Sequence, residues 1–547
     1  MLNLKSIYFY FLATRINFTK EIKKIYFTTK FYNKTLKSKT PKQFYFYPNS
    51  FLLSSFTNHR NFSFKLSEVE PGLFWVEQKI NEETKKLNNF LWLNLIDRKN
   101  DNILIKKIIT VWIYKNPKYK KIIWDNSVIS NRIISWILNA DIILKNTDNV
   151  FKNDFFNSII IQTNHLKKNI KFENDPSKKI EIISAILLTG LIFKEYSQNF
   201  DLTNKELEKL IEYYFDKDGF PIDRNYKNLF KFSKYLIIIK ECINDAQEYI
   251  PDYLDAIIEK NLVCLKSIQT PVGQAPLFNG VSEFDLKSYF NYIAKLNYKI
   301  KKPKEKIGNL QKIKYKKHLV YFDVGAPPKK SHSKNYQSGA LSFEYFLGEK
   351  KIITNCGYGN KISKKATLLS KLTSAQSTLC INDFSVVNFE RNKQINSAFG
   401  NSIKSSFQIN NFEYEDNLLE IKTSAEHDAY KERFGYIHNR EIKIDKKNEI
   451  LIGSDMLKNI NSNKTVKINI RFHLYPGIPA FQTIGGNSVL IQIEKNKSLI
   501  FASKGNKISL EKSIFLGKNK ILNNLCINIT DEVIGNKLIK WELKKSN

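Results

Sequence analysis

The sequence predicts an α+β protein in two parts, helices first and an antiparallel β-sandwich second. Three observations lead there: apolar residues recur at helical spacing from about residue 76 to 267, alternate from about residue 315 onward, and are interrupted between by a stretch rich in Pro, Gly and Lys. A chain of 547 residues exceeds one ordinary core, and two units is the simplest count. With 42% hydrophobic and 13% aromatic residues it has ample material to fill them.

The first 69 residues are a basic extension in which Glu21 is the only acidic residue before His59, and segments such as KEIKKIYFTTKFYNK mix lysine with aromatics. This composition suits a membrane-surface or sugar-binding arm, and more readily a loosely held, poorly ordered tail. The helical part is placed at 70–270. In NRIISWILNADIIL, residues Ile133, Trp136, Ile137 and Ala140 share one face. Similar faces run through KKIEIISAILLTGLIF, KELEKLIEYYF, LFKFSKYLIIIKECI and PDYLDAIIEKNLVCL, the last with Pro251 at a helix start. Helix following helix excludes a βαβ sheet and predicts hairpins stacked as a bundle, solenoid or toroid.

Residues 271–314, with PVGQAPLFNG and a lysine-rich run after it, read as a crossing loop and linker. From 315 to 547 the period falls to two. HLVYFDVG, ALSFEYFLG, TVKINIRFHLYPG and SVLIQIEKNKSLIFAS are among ten or so strands divided by Gly, Asn and Asp turns, the pattern of an antiparallel sandwich.

Lys and Arg outnumber Asp and Glu by 87 to 53, a formal charge of +34 that attracts polyanions. An AT-rich genome drifting toward Lys, Asn and Ile codons produces the same bias. No zinc-finger, RNA-recognition or helix-turn-helix signature accompanies the charge, so no specific nucleic-acid partner is expected. The five cysteines, Cys242, Cys264, Cys356, Cys380 and Cys526, form no CxxC pair and predict neither a disulfide framework nor a zinc ribbon. No apolar run reaches the length of a transmembrane helix. The N-terminus, interrupted by Arg15, makes a poor secretory signal. A GxSxG nucleophile elbow is absent.

Nine phrases occur in an order that resembles the heparinase II/III family over roughly residues 70–545. They are FLWLNL, WDNSVISNRIISWILNA, DGFPIDRN, PLFNG, FDVGAPP, SGALSFEYFLGEKKIITNCG, TSAQSTLCIND, EHDAYKERFGYIHNREI and RFHLYPG. The resemblance implies an incomplete α/α toroid followed by a β-sandwich, and a polysaccharide lyase that cuts beside a uronic acid by β-elimination, with acidic polysaccharide, glycosaminoglycan included, as partner. It also implies residence in the cell envelope or periplasm, and no cofactor. The alternative is a polysaccharide-binding or envelope protein that keeps the fold after losing catalysis.

Such chemistry needs a group to neutralise the uronate carboxylate, a base for the C5 proton and an acid for the departing O4. The resemblance assigns these roles to Asn164 and His165 in IIIQTNHLKKN and to Tyr226 after DGFPIDRN, with Tyr235 and Tyr214 as substitutes. Gln337 and Gln376 stand where the family offers histidines to the cleft, and a glutamine cannot shuttle a proton. Asn355 stands where some relatives have a metal-binding aspartate, so no metal is expected. Arg224, His427, His438, Arg440, Arg471 and His473 are candidate substrate-binding residues. His438 and Arg440 are two apart, as are Arg471 and His473, so each pair shares one face of a strand. Such groups can bind carboxylate or sulfate, or tie strands together as satisfied structural residues.

Overall fold

The structure is a computed structural model that describes residues 4–57, 75, 81–98, 102–460 and 463–546. Its helices are α1 (Leu4–Thr28), α2 (Lys30–Lys34), α3 (Asn81–Asn88), α4 (Asn102–Lys115), α5 (Asn126–Leu138), α6 (Ala140–Ile143), α7 (Asn149–Asn169), α8 (Pro176–Ile192), α9 (Gln198–Tyr214), α10 (Tyr226–Asp245), α11 (Asp252–Ser267) and α12 (Leu286–Lys295), with the short α13 (Lys364–Leu369), α14 (Lys393–Phe399) and α15 (Lys431–Phe434) among the strands. Local chemistry sets the starts. Asp125, Asp148, Asp175 and Asn225 accept the first free amides of α5, α7, α8 and α10, and Pro176 occupies the first turn of α8.

Helix α8 is the axis of the helical half. Every residue from Ile180 to Ile192 is buried, and α5, α7, α9 and α10 pack around it. A Cβ at Gly190 would lie 2.4 Å from the backbone nitrogen of Phe200, so only glycine lets α9 begin this close.

The strands are β1 (Lys306–Ile307), β2 (Leu310–Tyr315), β3 (His318–Asp323), β4 (Phe343–Leu347), β5 (Lys350–Thr354), β6 (Leu379–Ile381), β7 (Ile409–Asp416), β8 (Glu420–His427), β9 (Tyr436–Asp445), β10 (Ile450–Asn459), β11 (Val466–Leu474), β12 (Ala480–Gln482), β13 (Ser488–Glu494), β14 (Lys497–Ala502), β15 (Lys507–Phe515), β16 (Leu522–Val533) and β17 (Lys537–Lys545). One sheet has the order β1-β2-β3-β4-β5-β11-β16-β15, with β6 also on β11; the other runs β12-β13-β14-β17-β10-β9-β8-β7. The pairings are antiparallel.

The two sheets differ in how they are covered. In β9 and β10 burial alternates residue by residue, as in a sheet with one wet face. In β3 every residue is buried. Leu319 and Tyr321 enter the helical core while Val320 and Phe322 enter the sandwich core, and Phe346 and Tyr345 of β4 divide the same way. The first sheet is thus the middle layer between helices and second sheet.

Two boundaries differ from the sequence expectation. Residues 30–57 are no loose extension: Tyr32, Leu36, Phe44, Leu52 and Leu53 are buried in the helical core, and the Tyr45 amide donates to the Ile192 carbonyl at 2.8 Å. Residues 4–28 of the expected tail form α1, and 1–3 and 58–69 lie outside the described residues. The expected linker 271–314 holds α12, whose Tyr289 and Ile293 are core residues, and strands β1 and most of β2. In both segments apolar residues are interspersed with lysine and polar residues, so they gain meaning only from the core they join.

Arg224 closes the junction of the halves. It sits at positive φ between α9 and α10, buried, with Nη1 donating to the carbonyls of Gly325 and Ala326 at 3.0 Å each and Nη2 to Asp323 at the end of β3. Asn225 next to it donates to the Asn279 carbonyl at 2.8 Å. Removing one partner of a buried ion pair leaves an uncompensated charge, so Asp323→Asn should lower stability by about 3–5 kcal/mol. Denaturant melts followed by circular dichroism will read this; an unchanged midpoint would show that the carbonyl cradle alone holds the guanidinium.

Candidate functional site

Nine of the residues picked from sequence are buried: Arg224, His165, Tyr226, Gln337, Gln376, His427, His438, Arg440 and His473. What each touches shows why it is there.

Asn164 and His165 are successive residues of α7 and diverge. Asn164 Nδ2 donates to the Leu36 carbonyl at 2.9 Å and Ser38 Oγ at 2.6 Å; His165 Nδ1 meets the Tyr32 hydroxyl at 2.7 Å. Phe27, Tyr119 and Trp124 enclose the imidazole. Burial, then the charges of Arg132 and Lys168, pull it down to about 3, so it stays neutral. The pair pins the segment after α1 rather than gripping a sugar.

Tyr226 lies in the first turn of α10 behind Arg224. Its hydroxyl has no hydrogen-bond partner, and burial holds the phenol well above its ordinary value, which removes it as a base exposed to polymer. Tyr235 and Tyr214 are likewise buried, Tyr235 donating to Asn131 at 2.7 Å.

The glutamines are loop ties. Gln337 Oε1 accepts the Gly280 amide at 2.9 Å while its Nε2 donates to the carbonyls of Ser370 at 2.6 Å and Gly357 at 3.2 Å; Gln376 Nε2 reaches the same Ser370 carbonyl at 2.9 Å. An amide side chain gives two donors and an acceptor at once, which a neutral imidazole cannot. Asn355 accepts the Ser377 amide at 2.9 Å.

In the sandwich the histidines form a closed network. His427 and His438 face each other across β8 and β9. The Ala429 amide donates to His427 Nδ1 at 3.3 Å, His427 Nε2 lies 3.2 Å from His438 Nδ1, and His438 Nε2 lies 2.7 Å from Asp455 Oδ1. Two neutral rings with protons on Nε2 satisfy every contact, and burial holds both below their ordinary value. Arg440 Nε donates to Asp455 at 2.7 Å and Trp541 Nε1 to its other oxygen at 3.0 Å. The shared face read for His438 and Arg440 is therefore right, but it faces inward. His473 is held by Ser513 Oγ at 3.0 Å and the Ser374 carbonyl at 3.1 Å; burial pushes it to about 4. Arg471 pairs with Asp383 at 3.1 Å.

Other residues occupy the seam between the halves. The segment 332–337 runs along the helical half: His332 Nε2 lies 3.0 Å from the Tyr213 hydroxyl of α9, and Lys334 pairs with Asp175 at the start of α8. Tyr213 is 57% exposed, so the pair is open to solvent. Burial and Lys329 hold His332 below its ordinary value. Further along, Lys227 of α10 meets Lys361 from the loop before α13. Burial, then the Lys361 ammonium, pull Lys227 down to about 8. Among the described residues no carboxylate pairs with Lys227, Lys234 or Lys361, whereas Lys231 has Glu181 at 2.7 Å. Sequence reasoning missed all of these. The signal available was that SHSK, unlike the other histidine segments, has no alternating apolar neighbours.

A cavity of about 490 Å³ also opens on the seam, lined by Gln274, Glu283, Phe346, Lys351 and Tyr475 among others. It carries carboxylates of its own: Lys351 pairs with Glu344 at 2.8 Å, and Glu283, which accepts from the Tyr475 hydroxyl at 2.9 Å, lines the wall together with Glu349. That makes it less suited to an anion than the lysine pair.

Residues 305–542 match the family described as heparinase II/III-like, C-terminal. The β half is thus a heparinase II/III-like C-terminal domain. Among solved structures, heparan sulfate lyase HepC from Pedobacter heparinus is similar over 91% of this chain and 82% of its own, at 14% identity and a TM-score of 0.62. The heparinase III BT4657 gene product is similar over 90% and 88%, at 13% identity and 0.65. A third structure, heparinase III, covers 85% and 76% at 12% identity and 0.65. These likenesses establish the family's toroid-plus-sandwich architecture. No curated protein sequence matches the chain.

The Asp455 network provides a test of the structural roles. Burial opposes its ionisation, but Arg440 and His438 together hold the Asp455 carboxyl below its ordinary range. A depressed acid contributes stability above its unfolded value that is lost on acidification. Asp455→Asn should therefore cost about 3–5 kcal/mol near neutral pH and progressively less as the wild type is acidified, with altered Trp541 fluorescence. Equal melting of both proteins at neutral pH would return these residues to the list of site candidates.

Proposed function

We propose that the protein binds an acidic, uronate-containing polysaccharide along the seam and cleaves it by β-elimination. The meeting of Lys227 and Lys361 from opposite halves carries this reading. Two ammonium groups crowded together without a carboxylate are a standing electrostatic cost, relieved when an anion sits between them. A uronate carboxylate has the charge for this, and its neutralisation is what makes the C5 proton removable.

The Tyr213–His332 pair supplies the remaining chemistry. His332 as neutral imidazole takes the phenol proton at Nε2. The phenolate removes C5–H, the electrons form the C4=C5 double bond as the C4–O4 bond breaks, and the imidazolium returns a proton to O4. No water or cofactor enters. The likeness to heparan sulfate lyases supports the reaction class at the level of fold, and residence in the cell envelope or periplasm belongs to the same reading. No described helix is long and apolar enough to cross a membrane.

Purified protein mixed with a panel of uronate polymers should generate the ultraviolet absorbance of the unsaturated product. Tyr213→Phe should reduce the rate by about 10²–10⁴-fold while leaving binding unchanged. Lys227→Ala or Lys361→Ala should weaken binding about tenfold, the value of one charge-assisted contact. Binding without product across the panel would instead identify a polysaccharide-binding protein that keeps the lyase fold.

The pH dependence has a defined sign. His332 must be neutral, and burial and Lys329 hold it below the ordinary imidazole value, so kcat/KM should fall only at acidic pH. Lys227 must be charged, so the alkaline limb should begin at about 8. In Lys227→Arg that limb should move upward, because guanidinium does not titrate in this range; an unmoved limb would remove Lys227 from the site.

A further inference from the structure

Helix α1 has two apolar faces, and only one is used by the fold. The inner face spans both halves. Phe27 packs on Tyr119 and His165, and Lys23 lies over the Phe172 ring; Asn17 donates to the backbone and side-chain oxygens of Gln394 at 2.9 and 3.0 Å, and Phe9 meets Phe399 at 6.1 Å. On the opposite face Tyr8, Phe11, Phe18, Ile22 and Ile25 are 65%, 68%, 67%, 49% and 71% exposed. Their spacing, with Arg15 filling the gap, keeps them within one stripe of the helix. The inner contacts fix the helix, so the stripe is presented outward as a rigid ridge. Over residues 4–42 ten Lys and Arg accompany a single Glu, and that Glu21 is paired with Lys24.

We propose that α1 docks the protein onto an anionic lipid surface, the stripe entering the boundary between headgroups and acyl chains while the flanking cations meet lipid phosphates. Charge selects this occupant. A second copy of the same stripe would bring Arg15 against its own kind, whereas an anionic surface complements Arg15 and the exposed Lys30, Lys34, Lys37 and Lys39 that follow the helix. With five cations in the 25 residues of α1, the helix lies in the interface rather than crossing it.

Flotation of the full chain with vesicles tests the proposal. The protein should bind vesicles of phosphatidylcholine mixed with phosphatidylglycerol, in a salt-sensitive manner, and bind pure phosphatidylcholine weakly. The variant Phe11→Ser/Phe18→Ser/Ile25→Ser should bind the anionic vesicles about tenfold less or worse, with an unchanged melting temperature because these side chains are exposed. Three outcomes would overturn the docking role: no association with anionic vesicles, equal association by the variant, or a wild-type dimer in solution that the variant converts to monomer.

Discussion

The Arg224 guanidinium is the constraint on which the junction of the two halves depends. A charge enclosed this completely is tolerated only when its donors are met, and here Asp323 and the carbonyls of Gly308, Gly325 and Ala326 receive them. Space is part of the arrangement: a Cβ at Gly325 would lie 2.4 Å from the guanidinium carbon, so the β half offers bare backbone where the arginine arrives. The consequence reaches outward. Arg224 immediately precedes the capping residue of α10, so the contact sets where that helix starts and hence where Lys227 stands relative to Lys361. Asp323 also starts the segment that leads past His332, which meets Tyr213 at the end of α9, and Lys334 to the ties of Gln337.

Much of the architecture was legible because it rests on periodicity. Core-facing helix residues recur at helical spacing in any solvent-exposed bundle, and the change of period signals the change of element type, although the helices continue through α12 and the strands begin only at Lys306. The periodicity failed where a segment's role depends on distant residues. Tyr32 and Leu36 look like the rest of a basic tail until the pocket beside His165 receives them. Strand β3 reads as an ordinary strand, and nothing in HLVYFD says that both of its faces are covered.

The candidate site was less legible, for a physical reason. A buried network and a binding site draw on the same residue types, since both need donors and acceptors fixed in place. His438, Arg440 and Asp455 join His427 of β8 in a satisfied network because the inward phase of β9 and β10 encloses them; one residue of shift along those strands would have exposed them. Gln337 and Gln376 differ from the histidines the resemblance led one to expect, and each is well matched to the carbonyls it meets. The groups that the seam leaves open, Tyr213, His332, Lys227 and Lys361, come from four separate segments, and only folding brings them into pairs.

The middle sheet changes what the division into halves means. Alternate residues of β3 belong to different cores, Leu319 and Tyr321 to one and Val320 and Phe322 to the other, so the switch of period in the sequence is not a seam of stability. A gene fragment ending near residue 305 would leave the helices without the strand surface that roofs them, and the complementary fragment would carry a full apolar sheet face into water. Neither piece is a transferable module. Shuffling, truncation or separate expression at this boundary yields two adhesive surfaces instead of two domains, and the pair has to be inherited as one unit.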